Sequence, residues 1–399
     1  MYIDEENRMA RILLSWELGG GLGHINRLCT IARFLKKKNH NVALVLRELS
    51  QAAYYCEKDD IPCFHAPLFQ RNKRISFPIS TYAQLLYHCG FDNDDALTAR
   101  IKAWKNIIRL YKPDILIADH SPTALCAFHS MPVKKILVGT GFSIPPAISP
   151  LPEMRKPGFI PEEEVIQWEE RVVTIIGKAF KKCRIDPIKH LFQIYEADAK
   201  LLFTFPECDH FSQRKDGEYV GICPPPTTGI SLKWPLAEGK RIFGYLTHYR
   251  GIDTLLDVLI QTPCSYVLFI RNMEEKLYKT YHRANLVLSK KPLNIHRAVA
   301  ACDLGICHAT HDTSLRLLLA GKPLFMLPLF LEQGMTADNI QHSGAGLSVP
   351  FFSEKKIRYS MNRMLGEPYF KTSAEAFSRK YRDNDSQKAL TRLISIIEN

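Results

Sequence analysis

Short apolar runs alternate with longer stretches of helical spacing over the first 145 residues, which predicts strands crossed by helices in a parallel sheet. Arg11–Trp16 reads as the first strand, and Ile25–Lys38 as a helix whose closing lysines suit its negative end. Asn41–Arg47 follows as a strand, Ala96–Tyr111 as a helix, and Pro113–Asp119 and Lys135–Gly139 as two more strands. Between 144 and 152 the pattern breaks on prolines that fit neither a helix nor a central strand, and a helix is expected from Pro161 to Lys182. Strands resume at Lys200–Phe205. A second series opens at Arg241–Leu246 and continues as helix 252–261, strand Tyr266–Arg271, helix Ile295–Ala301, strand Leu304–Cys307, helix Thr313–Ala320 and strand Pro323–Leu327. The expected organisation is two Rossmann-like α/β domains, 1–195 and 196–370, with 371–399 a C-terminal helix returning to the first. Open parallel sheets bind ligands at the carboxyl ends of their strands, so the expected site is a cleft between the two.

Composition agrees with that reading and narrows the function. A chain of 399 residues, 46% hydrophobic and 24% charged, can bury two cores and is neither fibrous nor disordered. No apolar run reaches the roughly 20 residues that span a bilayer, which excludes an integral membrane protein. The cysteines are scattered singly, with no CxxC pair, and read as reduced thiols in a cytoplasmic protein. A formal charge of +12 favours an anionic partner such as a nucleotide, an acidic lipid or a nucleic acid. The absence of a basic and aromatic recognition module argues against nucleic acid. Ile175–Ile185 alternates apolar and basic residues, either as a solvated domain helix or as an amphipathic surface helix touching the inner face of a membrane.

Chemistry-bearing residues gather at predicted strand ends. The first strand runs into Gly19-Gly-Gly21-Leu-Gly23-His24, where a helix begins; Gly21 and Gly23 let backbone approach an anion there. His24 is either a turn contact or a base that accepts a proton from a hydroxyl. Asp119 ends a neighbouring strand, so it either orients that imidazole or caps the helix after it. In the second half a strand ends on His308, and Thr310, Asp312, Thr313 and Arg316 open the next helix, an arrangement suited to a diphosphate. Asp312 either caps that helix or pairs with Arg316 one turn on. Thr247 closes the strand at 241–246, and a later strand is expected to deliver Glu332 and Gln333 to sugar hydroxyls. Tyr87 and His120, Phe142 and Ser143 lie in aromatic loop segments that would line an acceptor pocket. No carboxylate cluster has the spacing of a metal site.

The stretch His308–Arg316, with Gly321-Lys-Pro323, Pro328 and Glu332-Gln333, resembles the donor signature of the UDP-glycosyltransferase and MurG-like superfamily, written HGGxGTxxEAL, then GxP, then P with an acid and glutamine. Trp16–Ile25 resembles the same superfamily's acceptor loop, and the likeness covers nearly the whole chain in order and spacing. The resemblance implies a GT-B fold and an inverting transfer from a UDP- or dTDP-sugar to a small-molecule or lipid-linked hydroxyl, without metal or further cofactor. It implies His24 as general base oriented by Asp119, His308 and Thr313 at the diphosphate, and Glu332 and Gln333 at the sugar. The motif departs from the family at Ala309, Thr310 and Asp312, which replace glycines, and at Arg316, which replaces a ribose-binding glutamate. Those departures keep two other readings open: a nucleotide-sugar-binding protein without catalysis, and a nucleotide-sugar epimerase.

Overall fold

The computed structural model describes residues 9–20, 23–50, 59–70, 77–155, 158–211, 214–224, 229–231, 233–235, 238–349, 353–383 and 385–399. The chain divides into two units, Met1–Pro224 with Asp385–Asn399, and Pro225–Asn384.

The first unit is built on seven parallel strands: β1 (Arg11–Trp16), β2 (Asn41–Leu46), β3 (Cys63–His65), β4 (Ile115–Asp119), β5 (Lys134–Gly139), β6 (Ala199–Leu202) and β7 (Glu218–Tyr219). Their order is β3-β2-β1-β4-β5-β6-β7. All five residues of β4 are buried, as are all but the first of β1 and of β2, because helices cover both faces of a parallel sheet. Around the sheet lie α1 (Gly23–Lys37), α2 (Tyr82–His88), α3 (Asp94–Tyr111), α4 (Pro122–Phe128) and α5 (Glu162–Cys183). Helix ends follow local chemistry: the Asn93 side chain accepts from Ala96 N–H to start α3, and Lys112 ends it in the left-handed region. Three glutamates open α5 and two lysines close it, matching its dipole.

The second unit has six parallel strands: β8 (Arg241–Thr247), β9 (Ser265–Arg271), β10 (Leu286–Ser289), β11 (Leu304–Cys307), β12 (Leu324–Met326) and β13 (Gly346–Ser348). Their order is β10-β9-β8-β11-β12-β13. The intervening helices are α6 (Ile252–Ile260), α7 (Glu275–Thr280), α8 (Ile295–Ala301), α9 (His311–Leu319) and α10 (Leu331–His342). α11 (Glu354–Gly366) and α12 (Pro368–Lys380) follow, and α13 (Ser386–Glu398) belongs to the first unit.

Two expectations change. The division falls after Pro224 and not after residue 195, because β6 and β7 extend the first sheet. Of the segment 371–399, only α13 joins the first unit, packing on α1 and β6; α12 stays with the second and packs on α9. The segment 175–185 lies on a helix of the first unit, in keeping with the domain-helix reading: Ile176, Ala179 and Phe180 are buried where it packs against α2 and α3. Among the described residues no helix is long and apolar enough to cross a membrane.

In both sheets the strand order reverses at one place, between β1 and β4 and between β8 and β11. Chains leave the two central strands toward opposite sides there, which opens a crevice at their carboxyl ends. Both groups of candidate residues sit at these reversals.

Candidate active site

In the first unit Trp16 and Asp119 are register partners at the ends of β1 and β4. His24 lies in the first turn of α1, and its Nδ1 is 2.9 Å from Asp119 Oδ1. The second carboxylate oxygen accepts from Arg27 at 2.5 Å. Burial alone would raise the Asp119 carboxyl, but the charge of Arg27 and the hydrogen bond from His24 outweigh it and hold it down at about 2. An ionised acceptor makes Nδ1 the protonated nitrogen of a neutral His24, which leaves Nε2 with its lone pair. The Trp16 ring stacks on the imidazole at 5.4 Å and 17°, so the ring is fixed on a second side. Gly19 has φ +88°, and a Cβ there would stand 2.6 Å from His24 Nε2; only glycine leaves that nitrogen its space. The side chain of His24 keeps 12% exposure. Sequence reasoning missed Arg27, Trp16 and Gly19 as parts of this arrangement. Arg27 was traceable, because it is three residues after His24 on one helix and shares its face.

Three of the four expected acceptor residues are close to this pair. The His120 ring centroid is 6.1 Å from that of His24, and Phe142 meets His120 edge-on at 5.8 Å. Gly139 has no side chain where a Cβ would fall 2.3 Å from Ser143 Oγ and 3.1 Å from Asp119 Oδ1. That gap lets the Ser143 turn lie against the carboxylate. Ser143 itself is spent on the loop, its hydroxyl accepting from Thr140 N–H and donating to Thr140 O, both at 3.1 Å. Tyr87 sits instead among Phe77, Trp168 and Arg171, at 6.4, 5.3 and 4.9 Å from its ring. Burial pushes His120 down to about 3 and keeps it neutral. One residue past Trp16, buried Glu17 accepts from Thr123 N–H at 2.8 Å and from Trp104 Nε1, tying β1 to α4 and α3. Burial raises this carboxyl to about 7 against those hydrogen bonds.

In the second unit the corresponding reversal joins Thr247 and His308. His308 Nδ1 donates to Leu327 O at 2.7 Å, and its Nε2 accepts from Thr247 N–H at 3.0 Å. Both ring nitrogens therefore bind backbone. These bonds pin the ends of β8 and β12 to β11. Ala309 takes φ +57° and Thr310 becomes the N-cap of α9, with no hydrogen bond from its side chain to the helix. Helix α9 thus begins at His311, earlier than expected, and Asp312 does not cap it. The Asp312 carboxylate instead takes a two-pronged hydrogen bond from Arg316 Nε and Nη2, both at 2.8 Å. Thr313 is buried in the same first turn. Glu332 and Gln333 come from the first turn of α10 and not from a strand, and Gln333 Oε1 accepts from Leu329 N–H at 2.7 Å. Gly21 lies outside the described residues. Gly23 opens α1 with nothing within 4 Å of a built Cβ, so no close approach requires glycine there.

No family model matches the chain, and no curated protein matches it in sequence. Solved structures match it in shape along almost its entire length. A glycotransferase of kitacinnamycin superposes with TM-score 0.72 at 14% identity, over 98% of this chain and 99% of that one. The chain has the GT-B fold. A spinosyn rhamnosyltransferase (TM-score 0.70, 14% identity, 96% of this chain and 99% of that one) shares the architecture. So does a calicheamicin glycosyltransferase (TM-score 0.70, 14% identity, 97% and 98%). At such identities the likeness is one of GT-B architecture, and function has to be argued from the residues just described.

Proposed function

We propose that this protein transfers a sugar from a nucleoside-diphosphate donor to a hydroxyl of a small-molecule acceptor, with inversion and without a metal. The observation that carries this reading is the hydrogen bond between His24 Nδ1 and the ionised Asp119, which leaves Nε2 as a base held in one orientation. Nε2 takes the proton of the acceptor hydroxyl as its oxygen bonds to the anomeric carbon. The bond from that carbon to the diphosphate breaks, and the nucleoside diphosphate leaves with the electron pair on the opposite face. Asp119 stabilises the imidazolium that results.

On the donor side the first N–H groups of α9, at His311, Asp312 and Thr313, have no cap from Thr310 and suit the diphosphate. Thr310 and Thr313 add hydroxyls, Thr247 and His308 hold the strand ends around them, and Glu332 and Gln333 take the sugar hydroxyls. Structures of the spinosyn rhamnosyltransferase complexed with thymidine diphosphate and with spinosyn aglycone support donor and acceptor classes of this kind.

A second reading, a nucleotide-sugar-binding protein without catalysis, draws on the Asp312–Arg316 pair, which puts a carboxylate where a diphosphate would bind. A thermal-shift screen over UDP, dTDP and GDP and their sugars separates the two when followed by a transfer assay with the nucleotide sugar that stabilises. A ligand at about 100 times its dissociation constant adds roughly 2.7 kcal/mol. Stabilisation together with acceptor-dependent release of the nucleoside diphosphate is the expected result. Stabilisation without transfer favours the binding protein, and no stabilisation by any of them contradicts both.

A further inference from the structure

His120 stands beside the proposed base with an obligation unmet. Its side chain is 4% exposed, and its Nε2 is buried without a hydrogen-bond partner among the described residues. A buried imidazole nitrogen in that state is costly until an ordered water or a bound group pairs with it. The backbone adds a second sign, since His120 takes φ +48°, a left-handed conformation that a side chain of this size adopts at a cost. The carbonyl that this conformation turns inward accepts from Leu18 N–H at 3.0 Å and from Glu17 N–H at 3.4 Å. His120 thereby couples the end of β4 to the loop that leads into His24. Its ring lies between His24 at 6.1 Å and Phe142 at 5.8 Å, all from one end of the first sheet.

Two imidazoles at that separation, each with a nitrogen lacking a described partner, can hold two oxygens carried on adjacent carbons. Resting on the transfer reading above, we infer that His120 selects the acceptor. Its Nε2 pairs with a second oxygen vicinal to the hydroxyl that His24 deprotonates. The acceptor class is therefore a compound with neighbouring oxygens, a vicinal diol or a catechol, and not an isolated alcohol. Because His120 is neutral, it pairs with an uncharged hydroxyl and does not compete with His24 for the proton that is transferred. Ser143, which also lies near Asp119, has its hydroxyl spent on Thr140 and cannot take this part.

The test uses the full-length protein and two matched pairs of probes: catechol against phenol, and trans-1,2-cyclohexanediol against cyclohexanol. Binding is measured by calorimetry, and transfer from the stabilising nucleotide sugar by kcat/KM. The protein is expected to prefer each diol by about tenfold, the worth of one hydrogen bond to a buried group. In His120→Asn that ratio falls to within about twofold of one. Asparagine is tolerated in the left-handed region, so this variant keeps the backbone while its amide is too short to reach. His120→Gln, whose amide extends further, restores part of the preference, which a merely structural role would not predict. Equal preference in the unmodified protein and His120→Asn overturns the inference, as does failure of both diols to bind. Diol preference in binding with no transfer to any probe strikes instead at the transfer reading.

Discussion

Ala309 shows how a motif can keep its backbone while losing its residue. The position has φ +57° and is fully buried, in the part of the donor loop where the resembling family has glycine. The left-handed conformation costs a residue with a Cβ on the order of 1 kcal/mol. Ala309→Gly is expected to stabilise the protein by up to about 1 kcal/mol, a rise of roughly 3 °C in Tm for a unit of this size; an unchanged or lower Tm would mean that the strain is illusory. The same scale shows what single residues disclosed in the sequence. Asp119 was legible because a buried strand ending in a carboxylate has to place it at the sheet's carboxyl edge, beside the loop after β1. Whether it capped a helix or met His24 depended on strand order, which the register Trp16–Asp119 supplies. The backbone bonds of His308 were not legible, for the opposite reason. Nothing in the run Cys307-His308-Ala309 says that Leu327 and Thr247, distant in sequence, will take both ring nitrogens.

Among elements, α13 is the one whose placement matters most for the first unit. Leu390, Leu393, Ile394 and Ile397 join the core formed by β1, β2, β4 and α1, and Arg392 reaches Glu218 at 2.8 Å. Each large aliphatic side chain so buried is worth about 1.5–3 kcal/mol. A chain ending at Asn384 is therefore expected to lose roughly 6 kcal/mol or more, much of a typical domain's stability. Thermal unfolding and limited proteolysis read the effect. An unchanged Tm and an intact first unit would contradict this packing. The element boundaries that sequence missed share a cause. β6 has the same apolar character as strands of the second unit and β7 is only Glu218–Tyr219, so pattern alone cannot say which sheet they join; the run Pro224-Pro225-Pro226 was the available signal for the true division. Glu332 and Gln333 were placed on a strand because Leu331–His342 has no continuous apolar stripe. In the structure that helix buries only Thr336, Ala337 and Ile340.

For the whole molecule, the two-sheet architecture was readable because parallel strands covered on both faces are unbroken apolar runs, and two such series fit no simpler fold. The chemistry is unequally supported across the units. The first holds the proposed base His24 bonded to Asp119 and stacked on Trp16, whereas the second keeps the strand-to-helix frame proposed for the diphosphate, with its histidine bonded to backbone and an ion pair in its first turn. The central claim is that His24 is the base, and it is tested most directly by the turnover of His24→Ala with the stabilising nucleotide sugar and an accepted diol. The account predicts a fall in kcat of roughly 10²–10⁴-fold, the usual worth of a general base, with donor affinity retained. Turnover equal to that of the unmodified protein would contradict it.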